Sequence, residues 1–265
     1  MAVLADLDLA RRLELTEGRG NAAFVDAQAR REPESGATWQ RIGGTFAMFA
    51  GTGSPITQTF GLGIHEPLVD GDLDAIEQFF KTRGSPVSHE VCPLAGVEVY
   101  GKLASRGYKP IELSSVLFRD LTNQPAEGAL SMIRVRAVDA GEAEAYAQIA
   151  ARGWFAAPEV VPMLLGFARS SVEVGRCFIA ELDSEAIATG ALFIHNDVAL
   201  LAGASTVPEG RRRGAQSALL DARLRAAAAS GCTVAMMVAA PGSASQRNAE
   251  RNGFRIAYTR TKWQL

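Results

Sequence analysis

Ala204-Ser-Thr-Val-Pro-Glu-Gly-Arg-Arg-Arg-Gly-Ala-Gln-Ser-Ala-Leu-Leu-Asp221 is the stretch that decides the fold of this 265-residue chain. Apolar and β-branched residues run up to Val207, and Pro208 ends this predicted strand. Three arginines follow between two glycines, and an Ala/Leu-rich pattern with helical spacing begins after them. The stretch therefore predicts a strand, a tight basic loop and a helix, in that order.

This order of elements builds an anion site. The first turn of a helix has backbone amides without intrahelical partners, and it carries the positive end of the helix dipole. The amides that we expect to face an anion are those of Gly214, Ala215, Gln216 and Ser217, and the mobile charges beside them belong to Arg211, Arg212 and Arg213. The loop is therefore a predicted phosphate-binding site.

Two motifs in this order resemble those of the GCN5-related N-acetyltransferases, the GNAT family. Residues 207–220 are similar to the family's coenzyme A pyrophosphate loop, where (Arg/Gln)-x-x-Gly-x-(Gly/Ala) follows the fourth strand, and Arg211 and Gly214 fit that signature. Gln216 stands where the family usually has Gly or Ala, so its side chain either points away from the cofactor or adds a hydrogen bond to it. Residues 241–254 resemble the next helix of the family and its Gly-Phe exit into a strand.

The resemblance covers roughly residues 134–265 and implies both a fold and a co-substrate. The expected fold class is α/β (α+β), with a mixed, largely antiparallel twisted sheet flanked by helices. The expected co-substrate is acetyl-CoA, with no metal, and its pantetheine arm lies between two splayed strands and pairs with backbone near Thr206 and Val207. Asn248, on the later helix, is a candidate for a hydrogen bond to the pantetheine and is otherwise an ordinary helix-surface residue.

An approximate internal repeat predicts two halves. Gly253 of Asn-Gly-Phe follows Gly107 of Arg-Gly-Tyr by 146 positions, and Gly231 follows Gly84 by 147. Both pairs sit in the same order of helices and strands. We predict two GNAT-like halves, residues 1–125 and residues 131–265, joined by a polar linker. Residues 64–72, which correspond to the basic loop, are acidic, so the first half is predicted to be degenerate, without coenzyme A, and to contribute to the acceptor site.

The residues that would carry proton transfer are not evident from the sequence. The resemblance places Ala249 where the family often has a tyrosine that reprotonates the departing thiolate, and residues 200–207 contain no carboxylate to act as a base. Tyr258, on the following strand, is a substitute candidate for the acid. Three other titratable residues lie nearby in the sequence, and each is better explained as an ordinary surface residue: Glu181, Glu209 and His195.

These residues favour an acetyl-CoA-dependent N-acetyltransferase, in which a primary amine of a small molecule or peptide attacks the thioester directly. A catalytically silent acyl-CoA-binding module is the alternative, because the tyrosine and the strand carboxylate are missing. A binding assay detects both, whereas release of free thiol in the presence of an amine is expected of the enzyme alone.

Composition excludes several other classes of protein. The chain has 27 Lys and Arg against 29 Asp and Glu, a net charge of −2, so its overall charge does not favour nucleic-acid binding. Three scattered cysteines and three histidines suggest neither a disulfide scaffold nor a zinc site. No leader or membrane-spanning run is evident, so we expect a cytoplasmic protein, a monomer or a homodimer, without a membrane partner.

Overall fold

The computed structural model describes residues 3–122, 132–154 and 158–265. Most of the predicted linker lies outside the described residues. The chain forms two compact units, one made of Met1–Phe118 with Val238–Leu265 and the other of Arg119–Met237. The C-terminal segment thus groups with the first part of the chain. The division into sequence halves 1–125 and 131–265 stays a prediction.

The helices and strands follow one another along both units. The helices are α1 (Leu7–Arg31), α2 (Asp70–Lys81), α3 (Val97–Ser105), α4 (Ala143–Trp154), α5 (Val161–Val174), α6 (Ala215–Ala229) and α7 (Ala244–Arg251). The strands are β1 (Thr38–Ile42), β2 (Thr45–Phe49), β3 (Gln58–Phe60), β4 (Ser88–Val91), β5 (Lys109–Asp120), β6 (Arg134–Ala137), β7 (Arg176–Leu182), β8 (Glu185–His195), β9 (Val198–Thr206), β10 (Val234–Ala239) and β11 (Arg255–Gln264). Among the described residues, no helix is both long and apolar enough to span a bilayer.

The first unit orders its strands β1-β2-β3-β4-β11-β5. The sequence of residues 44–50 and 56–60 predicts two strands of a hairpin, and β2 and β3 form it by pairing antiparallel. Strand β1, which pairs with β2, was not predicted. Strand β11, from the C-terminal segment, lies antiparallel between β4 and β5. Helices α2 and α3 supply Leu73, Ile76, Phe80 and Leu103 to the core of this unit.

The start of α2 corrects one local prediction. The apolar spacing of residues 71–80 predicts a helix with Asp70 or Asp72 as its N-cap. The cap position is instead Val69, and the Asp72 carboxylate accepts a hydrogen bond from the Val69 amide at 3.4 Å. Asp70 instead pairs with Lys102 at 2.8 Å. Two carboxylates in this first turn oppose anion binding, as expected for the segment that corresponds to the basic loop.

The second unit orders its strands β10-β9-β8-β7-β6. All neighbours in it are antiparallel except β9 and β10, which are parallel. Helices α4 and α5 pack on the sheet through a core that includes Tyr146, Ala150, Ala168 and Ile179. The predicted fold class is confirmed, since the chain is a mixed α/β structure with a mixed sheet flanked by helices.

The glycines of the internal repeat have matching local geometry. Gly107 and Gly253, at the ends of α3 and α7, have φ angles of 90° and 79°. The amide that follows each glycine turns back to a helix carbonyl, from Tyr108 to Leu103 and from Phe254 to Ala249, both at 3.1 Å. This is the helix-ending bond of a left-handed cap. Gly84 and Gly231 are followed by the same bond, so the spacing in the sequence reflects a repeated structural device.

Candidate anion-binding site

Strand β9 carries a bulge near its end. Thr189 of β8 faces Ser205, but Ala191 faces Ala202, so the single residue Gly190 lies opposite two residues of β9. Gly203, one of these two, has φ of 61°, a conformation in which glycine is the least strained residue. A bulge interrupts the ladder and re-aims the backbone, so the end of β9 presents its peptide groups differently from a regular strand.

Strands β9 and β10 stop pairing before β9 ends. The parallel ladder joins Val198–Leu200 to Val234–Met236. Beyond Leu200, β9 continues to Thr206 and keeps its antiparallel partners on β8. The described parallel pairing therefore ends before β9 does, ahead of the part of β9 that carries the bulge.

The basic loop is anchored where it leaves β9. The Val207 amide donates to Ile187 O at 3.0 Å, and the Gly210 amide donates to Val207 O at 3.0 Å. A Cβ at Gly210 would lie 2.7 Å from Ile187 Cβ, so this glycine allows the loop to pass close to β8. The loop therefore begins from a fixed position, although its three arginine side chains are exposed.

Helix α6 begins at this loop with an uncapped first turn. Gly214 is the N-cap residue, has φ of 86°, and provides no side-chain cap. A Cβ at Gly214 would meet nothing within 4 Å, so space is open in front of the helix. Arg211, Arg212 and Arg213 precede it directly. The absence of a side-chain cap, the helix dipole and three guanidinium groups all favour an anion at this point.

Gln216 is directed to the protein's own strand. Its Nε2 donates to Ser205 O at 2.9 Å and to Thr206 Oγ1 at 2.8 Å. The side chain therefore ties the first turn of α6 to the end of β9. The Gln216 side chain therefore has a structural role, at a position where the family usually has Gly or Ala.

The structure gathers most of the predicted binding residues in the second unit. Thr206, Val207 and the loop with the first turn of α6 are contiguous there. Asn248 lies on α7, in the segment that belongs to the first unit. It is half-buried, and its carbonyl accepts a hydrogen bond from Asn252 Nδ2 at 2.8 Å. Its role toward a pantetheine stays a prediction, as do the roles of the other binding residues.

The candidates for proton transfer already have partners. Tyr258, in β11 of the first unit, is buried and its hydroxyl donates to Glu14 Oε1 at 2.8 Å. Burial above all, with the nearby Glu14 carboxylate, raises the pKa of Tyr258 well above its ordinary value. Glu181 accepts from Arg136 at 2.7 Å, and Glu209 lies 3.6 Å from Arg152. The catalytic residues therefore stay unassigned, and Tyr258 as proton donor stays a prediction.

Helix α4 touches β9 at the bulge, a contact that the sequence did not predict. A Cβ at Gly153 would lie 2.6 Å from Ser205 Oγ and 2.8 Å from the Thr206 amide nitrogen. Trp154 donates from its indole nitrogen to Ala204 O at 3.4 Å. The signal available in the sequence was a glycine one residue before a tryptophan near the end of a predicted helix, which is too common a pattern to indicate a site.

Elsewhere in the described chain, neither a cluster of metal ligands nor an activated thiol is found. No group of three or more His, Cys, Asp or Glu side chains that could hold an ion is found among the described residues. The three cysteines are buried and unbonded to one another. Burial raises the pKa of Cys177 to about 11 and of Cys92 to about 12, so neither thiol is an activated nucleophile at neutral pH.

One family model matches the part of the chain that contains the basic loop. Residues 143–254 match the model of the acetyltransferase (GNAT) family. The matched segment covers less than half of the chain. The match includes β9, the basic loop, α6, β10 and α7, and it ends at Phe254. Curated protein sequences yield no match to the chain.

Solved structures resemble the chain over more than the residues that the family model matches. A GCN5-related N-acetyltransferase from Kribbella flavida superposes with a TM-score of 0.64 at 19% identity, over 92% of this chain and 95% of that one. One from Sphaerobacter thermophilus has a TM-score of 0.57 at 15% identity, over 78% and 71%. A tandem GNAT protein from the clavulanic acid biosynthesis pathway has a TM-score of 0.58 at 13% identity, over 84% and 78%. At these identities, the likeness establishes the fold.

Proposed function

We propose that the chain is an acetyl-CoA-dependent N-acetyltransferase that acts on a primary amine of a small molecule or peptide. The match of residues 143–254 to the GNAT family model supports acyl transfer in general terms. The observation that carries the finer proposal is the uncapped first turn of α6, which directly follows three exposed arginines and is tied to the end of β9 by Gln216. This arrangement suits a ligand with a pyrophosphate at one end and an extended arm at the other.

Each part of the site has a distinct task in this proposal. The amides from Gly214 to Ser217 bind the pyrophosphate oxygens, and the three arginines of the loop supply screening charge. The end of β9 near Thr206 offers backbone groups to the extended arm. When bound, acetyl-CoA supplies an activated thioester, so the protein has mainly to hold and orient the two reactants.

The general base and the general acid are left to water or to the acceptor itself. Ala249, in the place of the family's usual tyrosine, is fully buried and its methyl side chain has no acidic proton to donate. Tyr258 is engaged with Glu14. General acid catalysis typically contributes about 10²- to 10⁴-fold, so an enzyme without a positioned acid is expected to turn over slowly.

The proposal also covers the role of the first half of the chain, the location of the protein and its partners. We propose that the first half is a degenerate copy that lacks coenzyme A and lines the acceptor site. Where the second half has the basic loop, the first half has the acidic first turn of α2, with Asp70 and Asp72. A cytoplasmic location, a monomer or homodimer, and the absence of nucleic-acid, membrane and metal partners belong to the same proposal.

A catalytically silent acyl-CoA-binding module is the second candidate. It is favoured by one observation, namely that the described candidates for acid and base have structural partners. Both candidates predict binding of acetyl-CoA.

Release of free thiol separates the two. Purified chain is mixed with acetyl-CoA and a panel of primary amines and amino-terminal peptides, and thiol is measured with and without each amine. Amine-dependent thiol release, matched by acetylated amine in the mass spectrum, supports the enzyme. Tight binding without turnover on any amine supports the module, and absence of acetyl-CoA binding contradicts both.

A further inference from the structure

A buried arginine lies behind the bulge of β9. Arg223, on α6, is 3% exposed. Its Nε donates to Leu219 O at 3.1 Å, and its Nη1 donates to Ala191 O at 3.3 Å and to Ala202 O at 3.4 Å. Ala191 and Ala202 are the facing residues of β8 and β9 at which the ladder resumes after the bulge. One guanidinium therefore joins both strands at the bulge.

The charge of Arg223 is balanced by carbonyl dipoles. The acceptors that the structure describes for it are three neutral backbone oxygens. Burial lowers the pKa of Arg223 to about 10, so the side chain is still protonated at neutral pH. Burying a charge without an opposite charge is costly, and alanine and leucine dominate the rest of the helix. Packing alone does not require an arginine at this position.

Two glycines make the arrangement possible. A Cβ at Gly190 would lie 2.9 Å from Arg223 Cζ and 3.0 Å from Nη1, so the guanidinium occupies the space that a side chain would fill. Gly203 supplies the positive φ of the bulge itself. The space, the bulge and the charge thus depend on one another.

We propose that Arg223 is a positioning residue, which holds the β9 bulge in the form that receives the acyl-pantetheine arm of the co-substrate. This inference rests on the proposed function. Arg223 lies eight residues beyond the start of α6, about 12 Å along the helix, so its influence on the arm is separable from that of the phosphate loop. The bulge, and not the loop, is what its hydrogen bonds reach.

The test compares two ligands that share the nucleotide and differ in the arm. Affinities for acetyl-CoA and for adenosine 3′-phosphate 5′-diphosphate are measured by calorimetry for the wild-type chain, Arg223→Met and Arg223→Lys. In Arg223→Met, acetyl-CoA is expected to bind at least about tenfold more weakly, because hydrogen bonds from a charged group to both strands are lost. The nucleotide without the arm is expected to bind within about twofold of wild type. Arg223→Lys keeps the charge and should recover part of the difference.

Gly190→Ala is a second, independent variant that remains available where Arg223→Met does not fold. It displaces the guanidinium without removing its charge, and it should show the same selective loss. Equal loss of both ligands, or loss of neither, in the folded variants overturns the inference. A wild-type chain that binds neither ligand contradicts the proposed function instead, so the two failures are distinguishable.

Discussion

Glu14→Gln should change how the stability of the protein depends on pH. Glu14 is 1% exposed and lies among Arg260, Glu17, Glu90 and Tyr258 in the first unit. Its Oε1 accepts from Tyr258 at 2.8 Å and lies 3.5 Å from Arg260, while Oε2 has no described hydrogen-bond partner. Burial, opposed by Arg260 and reinforced by the neighbouring carboxylates, raises the pKa of Glu14 from 4.5 to about 7. A proton on Glu14 is therefore part of the folded state below neutral pH.

The sign and the size of the effect follow from this pKa. Between about pH 4.5 and pH 7, folded Glu14 holds a proton that the unfolded chain has released, so its stabilising contribution falls as pH rises through this window. A pKa of about 7 against an ordinary 4.5 corresponds to about 3 kcal/mol of unfolding free energy lost from this group. Glutamine mimics the protonated side chain and does not titrate, so the variant should escape this loss.

Urea unfolding of wild type and Glu14→Gln at pH 5, 6, 7 and 8 measures the difference. The variant should gain up to about 3 kcal/mol relative to wild type between pH 5 and pH 8. Glu98→Gln, an exposed change in the same unit, is the matched control and should run parallel to wild type. A Glu14→Gln curve that also runs parallel to wild type would refute the protonated-Glu14 argument.

Three further variants test contacts around the site and the cluster. Gln216→Leu removes both hydrogen bonds from α6 to β9 and should lower the unfolding free energy by about 1 to 3 kcal/mol in urea. Gly153→Val forces a side chain against Ser205 and the Thr206 amide, so it should lower the unfolding free energy by about 1 to 3 kcal/mol. It should also weaken acetyl-CoA binding by calorimetry. Unchanged stability would contradict the close approach of α4 to β9. Tyr258→Phe should lower stability at unchanged kcat, because the hydroxyl serves Glu14; a lower kcat at unchanged acetyl-CoA affinity would assign it to proton donation instead.

Local signals in the sequence predicted where several helices and strands end. The proline after β9 and the glycines around the arginines mark the ends of strand, loop and helix through backbone chemistry, which needs no partner. The same holds for Gly107 and Gly253, whose positive φ ends a helix. By contrast, β1 was missed because Thr38–Ile42 is short, half polar and only partly buried, so it has neither a run of apolar residues nor a regular alternation.

What the sequence could not predict depends on contacts between distant segments. Nothing in residues 255–264 specifies that this strand pairs with both β4 and β5, because strand propensity does not choose a partner. Arg223 looks like a surface residue of an alanine-rich helix until its carbonyl acceptors on β8 and β9 are seen. Glu14 likewise matches the polar positions of an amphipathic helix, and its buried cluster forms only when β4 and β11 meet α1.

Gly214→Asp, compared with Gly231→Asp, tests most directly whether the start of α6 binds the coenzyme. The two glycines lie at opposite ends of the same helix, have φ of 86° and 83°, and face open space, so backbone strain is matched. By calorimetry, Gly214→Asp should weaken acetyl-CoA binding at least about tenfold, since a carboxylate enters the place of the pyrophosphate, and Gly231→Asp should leave affinity within about twofold. Equal affinities in the two variants would contradict the account and leave the arginine loop as a surface turn.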